Sequence, residues 1–273
     1  MNEPSLRTIR AGHVTLATVD RGGGMPVVLV HGFPLDHSMW QAQIARLSER
    51  WRVVAPDLRG FGASQVTPGI VTMEQMADDL AAMLEALAID EPIVLCGLSM
   101  GGYVAFQFWR KYRSRLRGLV LCDTRAVADT SEAAASRLKM AAHVLEAGTV
   151  YVADAMLPKL FAPATFKDRP GVVDFERQKI LAAQPEGVAA ALRGLAARPA
   201  ATGYLREIAL PTLVIVGEHD AISTVDEMRG LAEQIPHSQL VVIPDAGHMT
   251  PLESPAAFNA AIERFLTAVK SQV

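Results

Sequence analysis

The segment VLCGLSMGGYVAF, Val94 to Phe106, holds a single serine, Ser99, with Gly97 two residues before it and Gly101 two residues after. An apolar, strand-like run precedes it and a helix-like run follows. Small residues on both sides let the backbone take a strained turn that pushes the hydroxyl away from the chain, where it can act as a nucleophile. The Met100 amide then opens the helix, and helix N-termini favour an anion. A serine capping an ordinary helix would show the same local pattern, so partners for Ser99 have to come from elsewhere. A dinucleotide fingerprint fits less well, because Leu98 and Ser99 follow Gly97 where the fingerprint has x-Gly.

A serine hydroxyl is a weak nucleophile until a base takes its proton, and the base needs an orienting acid. Among seven histidines, only His219 and His248 follow both Ser99 and a suitable strand-like run. His248, in IPDAGHMTPLE, lies on a glycine-flexed loop before a capped helix and is the candidate base. Asp220, in VGEHDAIS, is the candidate acid, with His219 a neighbour of the site. Asp123, in VLCDTRA, also ends a strand and is the rival acid. Asp220 is preferred because its strand is next to last and its loop precedes His248 in the order such triads follow on open α/β sheets. Glu218 ranks lower, since it would point back along its strand.

Acyl transfer also needs donors for a developing oxyanion. The backbone N–H groups of Met100 and Phe33 are the candidates. Phe33 sits in His31-Gly32-Phe33-Pro34, where Gly32 permits a tight turn and Pro34 stiffens the exit. His31 is expected to pin this loop by hydrogen bonds. Leu35, Trp40 and Met249 flank the same motifs. With Met156, Leu160 and Phe161 further along, they are candidates to line an apolar substrate pocket, and each reads equally well as core.

These residues need a scaffold that brings loops to one edge. PVVLVHG, RVVAPD, IVLCGLS, LRGLVLCD, TLVIVGEHD and QLVVIPDAG are continuously apolar, the mark of parallel strands covered on both faces. Helices are expected at Ser38–Arg50 and Thr72–Ala88, each with capping-box spacing, and from Pro255, after a Ser254 cap, to about Val269. The fold class is therefore α/β, a mostly parallel sheet of about eight strands flanked by helices. Roughly eighty residues between Asp123 and Thr212 hold no strand and are alanine-rich, and a structureless loop of that length is improbable. A helical insertion after the sixth strand is expected, over the sheet edge where open α/β sheets bind ligands. The expected division is a core of 1–126 and 208–273 with a helical cap of 127–207. A dimerisation module would look the same.

The chain has 273 residues, 50% of them hydrophobic, and a formal net charge of −3. That composition supports a large buried core and gives no basic surface for nucleic acid. Arg110 to Arg117 reads as a solvated helix end. No apolar run reaches the ~18 residues of a membrane span, and the first residues show no apolar leader. Cys96 and Cys122 lie within apolar runs, so reduced thiols and a cytoplasmic location are expected. Metal-binding spacings such as C-x-x-C and H-E-x-x-H are absent, and no metal or cofactor is expected. Monomer and homodimer are equally open.

In order, VHGFPLD, PDLRGFGAS, GLSMGG, VGEHDAIS and DAGHMTPLESP resemble the motifs of the α/β-hydrolase family, over essentially the whole chain. The resemblance implies a Ser99, Asp220 and His248 triad, with Phe33 and Met100 as oxyanion donors. Arg59 and Gly60 match a loop that shapes the site. Within the family the chain is similar to small bacterial carboxylesterases allied to 3-oxoadipate enol-lactonases. Branches that use an aspartate nucleophile are excluded by the serine at 99. The expected activity is cleavage of short to medium acyl esters through an acyl-enzyme, with the rate rising as His248 loses its proton. The alternatives are a lactonase such as an enol-lactonase, a cofactor-free perhydrolase, and a slow-hydrolysing ligand receptor. An enol-lactonase must hold a carboxylate, and Arg125 is the best-placed cation for it.

Overall fold

The continuous apolar runs form the central strands of one eight-stranded sheet in a computed structural model that describes residues 6–271. The strands are β1 (Leu6–Ala11), β2 (Val14–Arg21), β3 (Pro26–Val30), β4 (Arg52–Pro56), β5 (Ile93–Leu98), β6 (Leu116–Cys122), β7 (Thr212–Gly217) and β8 (Ser238–Ile243). Their order is β1-β2-β4-β3-β5-β6-β7-β8. β1 and β2 form an antiparallel hairpin, β2 pairs antiparallel with β4, and from β4 to β8 every neighbouring pair is parallel. Every residue of β3, β5 and β7 is buried, which is why these segments show no alternation, whereas the edge strand β8 keeps only Ile243 buried. The chain runs from β3 outward to β4, then returns to β5 on the other side of β3. That reversal places the loops after β3 and β5 side by side at the carboxyl edge, where a crevice opens.

Six helices flank or follow these strands: α1 (Gln41–Leu47), α2 (Met73–Ala86), α3 (Met100–Tyr112), then α9 (Val225–Gln234), α10 (Thr250–Glu253) and α11 (Pro255–Lys270). α2 begins in the capping box of Thr72 and Gln75 that its sequence predicts. The first helix differs from expectation. Asp36 rather than Ser38 caps a short 3-10 turn at His37–Trp40, accepting the Ser38 N–H at 2.8 Å, and α1 starts only at Gln41 and ends at Leu47. Asp36 takes the amide first, so the turn tightens before α-helix can begin. Ser254 precedes α11 with Pro255 at its first position, but makes no side-chain cap. No helix among the described residues is long and apolar enough to cross a membrane.

Trp40 packs its ring on Phe258 of α11, with centroids 5.8 Å apart, and is wholly buried. It forms part of the core, one of the two places its sequence allowed. Cys96 and Cys122 face each other across β5 and β6 as free, buried thiols, with Sγ atoms 3.8 Å apart. Burial pushes the Cys122 thiol well up, so it is held as a neutral, unreactive thiol.

Between β6 and β7 the chain forms five helices: α4 (Ser131–Ala147), α5 (Val150–Leu160), α6 (Pro163–Asp168), α7 (Pro170–Ala182) and α8 (Pro185–Ala196). Polar contacts seat this insertion on the core. Lys179 of α7 pairs with Asp36 at 3.3 Å, Arg169 Nη1 donates to the Leu252 and Glu253 carbonyls at 2.9 and 2.6 Å, and Arg193 Nη1 donates to the Gly69 carbonyl at 2.9 Å. Gly187 of α8 lies directly on the Gly60 backbone. Asp129, at the start of the insertion, is held by Arg137 and Arg198, the latter stacked 4.2 Å over the Tyr103 ring.

On α7 the inward face carries Val173, Glu176 and Ile180, spaced as one helical stripe. Glu176 is fully buried and neither carboxyl oxygen has a partner among the described residues. Burial, with Asp36 adding and Lys179 opposing, pushes its pKa up to about 8. The folded chain thus keeps a proton that the unfolded chain releases. The stability this carries is full below the ordinary carboxyl value and is lost as pH rises towards about 8. Glu176→Gln removes the ionisation, so thermal unfolding at pH 5 and pH 8 should show a smaller loss of Tm in the variant. The difference corresponds to at most about 4 kcal/mol. Equal losses in both proteins would show that Glu176 titrates normally.

Candidate active site

Ser99 sits at φ 53° and ψ −111°, between β5 and α3. A non-glycine residue held there costs on the order of 1–3 kcal/mol and persists only where its surroundings fix it. Three contacts do so. The Ser99 N–H extends the β5–β6 ladder by donating to the Cys122 carbonyl at 2.9 Å. Its own carbonyl accepts the Thr124 hydroxyl at 2.8 Å and the Gly102 N–H at 2.9 Å. A Cβ on Gly97 would strike the Gly101 carbonyl, and one on Gly101 would strike the Val30 carbonyl. The two glycines of the motif are therefore required by close backbone approach.

Asp220 and His248 follow β7 and β8, at the same edge of the sheet. The Asp220 N–H donates to the Gly217 carbonyl at 3.1 Å, and the His219 N–H joins the two loops through the Ala246 carbonyl at 2.8 Å. Asp220 Oδ1 accepts the N–H groups of Ile222 and Ser223 at 2.7 and 3.0 Å, which fixes the carboxyl plane. Its Oδ2 lies 2.8 Å from His248 Nδ1, and both side chains are buried. With Nδ1 engaged, Nε2 is the ring nitrogen left for other partners. His219 and Glu218 are exposed.

Asp123 occupies the rival position after β6 and is used differently. It is wholly buried at φ 45°, Oδ1 accepts the Gly217 N–H at 2.9 Å, and Oδ2 accepts the Thr250 hydroxyl at 2.5 Å. Burial, with the Asp220 charge adding to it, pushes Asp123 well above the usual carboxylate range.

The loop after β3 lies against Ser99. A Cβ placed on Gly32 would be 3.5 Å from Ser99 Cβ, and the Leu35 N–H closes the turn on the Gly32 carbonyl at 3.0 Å. His31 pins it: Nε2 accepts the Leu58 N–H at 2.9 Å, so Nδ1 carries the hydrogen and donates to the Gly32 carbonyl at 2.9 Å. Burial pushes the His31 pKa down and keeps the ring neutral for this task. Phe33 is buried with its ring edge-on to Phe61 at 6.0 Å. Met100, as the first residue of α3, has no intrahelical acceptor for its N–H.

Leu35, Met249, Leu160 and Phe161 are buried and Met156 half-buried, with the Met249 N–H bonded to the Leu160 carbonyl at 3.1 Å. The insertion and the His248 loop therefore touch directly. Arg125, the expected carboxylate-binding cation, is partly exposed. It pairs with Glu227 of α9 at 2.5 Å. Arg59 pairs with Asp79 at 2.8 Å and shapes the loop after β4. Thr124, Thr250 and Glu253 are buried polar side chains at this edge with no signature of their own in the sequence. The signal that could have found Glu253 is its place in the motif DAGHMTPLESP, five residues past His248.

A family model for the α/β-hydrolase fold matches residues 25–255. The chain is 51% identical to a thermophilic esterase from Thermogutta terrifontis, solved with malate bound, which covers 97% of this chain and 99% of its own at a TM-score of 0.95. It is 31% identical over 261 residues to 3-oxoadipate enol-lactonase 2 of Acinetobacter baylyi, covering 94% of each. It is also 29% identical to the enol-lactonase of Burkholderia xenovorans, covering 96% of this chain and 100% of that one, with a TM-score of 0.89.

A buried carboxyl pushed well above the usual carboxylate range should tolerate its amide. Asp123→Asn keeps an acceptor for the Gly217 N–H and offers an N–H to Thr250 Oγ1. Its Tm at neutral pH is expected to equal or exceed that of the wild type, measured by scanning calorimetry. A loss of more than about 2 kcal/mol would mean that an ionised Asp123 is needed there.

Proposed function

From the premise that the chain belongs to the α/β-hydrolase family, we propose that this hydrolase is a serine carboxylesterase for short to medium acyl esters. The observation that carries the reading is the 2.8 Å contact of Asp220 Oδ2 with His248 Nδ1 at the edge where Ser99 is held in its strained turn. Ser99 attacks the ester carbonyl while His248 takes its proton through Nε2. Asp220 orients the ring and stabilises its charged form. The Phe33 and Met100 N–H groups receive the oxyanion, each such donor being worth on the order of 3 kcal/mol of barrier. His248 returns the proton to the leaving alcohol, and water repeats the attack on the acyl-enzyme. The insertion acts as a cap, and Leu35, Met249, Met156, Leu160 and Phe161 supply its apolar lining.

Lactone hydrolysis by the same residues is the second reading, favoured by the likeness to 3-oxoadipate enol-lactonases. The pairing of Arg125 with Glu227 weighs against an anionic lactone.

Hydrolysis of p-nitrophenyl acetate, butyrate and octanoate tests the proposal. Turnover should fall with acyl length and drop by at least about 10³-fold in Ser99→Ala. Activity surviving that substitution would place the nucleophile elsewhere. An enol-lactone turned over far faster than any ester would replace the first reading by the second.

The two carboxyls should separate cleanly on the same substrates. Asp220→Asn is expected to lower kcat by about 10⁴-fold, while Asp123→Asn stays within a few-fold of the wild type. The reverse ranking would make Asp123 the acid.

A further inference from the structure

Four hydrogen bonds converge on one buried carboxylate, that of Glu253 in α10. Oε1 accepts the N–H groups of Gly247 and Met249 at 2.9 and 3.1 Å, the two amides on either side of His248. Oε2 accepts the Ala162 N–H at 2.8 Å and the Thr165 hydroxyl at 2.6 Å, where α5 passes into α6 of the insertion. The surrounding backbone is equally close. The Leu160 carbonyl receives the Met249 N–H, and a Cβ on Gly247 would lie 2.6 Å from the Ala162 nitrogen.

We propose that Glu253 is a positioning residue that ties the insertion to the catalytic base, holding the His248 loop in its working place through the seated 160–165 segment. The proposal rests on the reading of His248 as base. An ionised carboxyl group is the side chain that accepts at both ends, and here each oxygen receives two donors. A glutamine of the same shape has a single acceptor oxygen, and its NH₂ would face two donors at the other end. Aspartate is one methylene too short to span both segments. With the clamp broken, the amides beside His248 lose their shared acceptor, and displacement of a catalytic group by about 1 Å costs up to 10²-fold in rate. Substrate room is set by the insertion, so the clamp makes base position depend on how the insertion sits.

Kinetics with p-nitrophenyl butyrate on Glu253→Gln, Thr165→Val and Thr165→Ser, beside Ser99→Ala, decide the matter. Rates are expressed per active site counted by fluorophosphonate labelling of Ser99, with Tm measured in parallel. Glu253→Gln should lower kcat about 10- to 100-fold with KM changed less than the rate. Thr165→Val, which removes one donor on the insertion side, should lower kcat several-fold in the same sense, and Thr165→Ser should restore it. A merely structural role would lower Tm and the number of labelled sites while kcat per site stayed constant, and that result overturns the proposal. If Glu253→Gln does not fold, Thr165→Val against Thr165→Ser decides alone. Loss of turnover in Ser99→Ala together with unchanged kcat in the others refutes the clamp only. Turnover retained in Ser99→Ala refutes the triad itself.

Discussion

The turn at Ser99 constrains everything around it. A positive φ at a residue with a side chain is unfavourable, and it is held here by the β6 ladder, the Thr124 hydroxyl and the opening turn of α3. For α3 to start immediately, its first residues must approach the Val30 carbonyl so closely that no side chain fits at Gly101. That approach in turn requires β3 to lie beside β5, which the strand order provides. The same adjacency sets the loop carrying Phe33 beside the Ser99 hydroxyl. Nucleophile and candidate oxyanion donors are thus consequences of one packing decision at the centre of the sheet.

Two carboxyls end neighbouring strands at this edge, and their surroundings give them different work. Asp220 meets two amides on one oxygen and a histidine on the other. Asp123 meets one amide and one hydroxyl, in complete burial and beside the Asp220 charge. Hydrogen bonding to a carboxylate and burial of a carboxylate act in opposite directions, and at Asp123 burial wins over its two hydrogen bonds and holds the group well above the usual carboxylate range. Thr250, two residues beyond His248, links Asp123 to the loop that carries His248.

What the sequence made legible follows from how local each demand is. Gly97, Ser99 and Gly101 are readable because the turn they form needs those residue types whatever surrounds it. The meeting of His248 with Asp220 is readable from their order after apolar strands, and the pinning by His31 from its place on a turn. Residues whose roles depend on distant partners are not readable. Arg125 looks like a free cation until α9 brings Glu227 to it. The ring that packs on Trp40, that of Phe258, comes from α11, far along the chain. Asp36 looks like a plain helix cap until α7 brings Lys179 to its second oxygen. Glu253 is invisible for the same reason, since half of its partners lie about ninety residues away.

The helical insertion holds most of the freedom that remains. At the sheet edge, close backbone contacts leave few residues able to change without loss of the turn itself, so differences in substrate between proteins of this fold have to be built mainly elsewhere. In this chain the insertion reaches the edge at two places that matter for chemistry, Lys179 on Asp36 beside the Phe33 loop and the 160–165 segment on Glu253 beside His248. A change that reshapes the insertion there therefore also moves the supports of the Phe33 loop and of the His248 loop. On the proposed reading specificity and rate are coupled through those contacts, and substitutions in α5 to α7 that spare Thr165 and Lys179 are the ones expected to alter substrate preference while the chemistry stays intact.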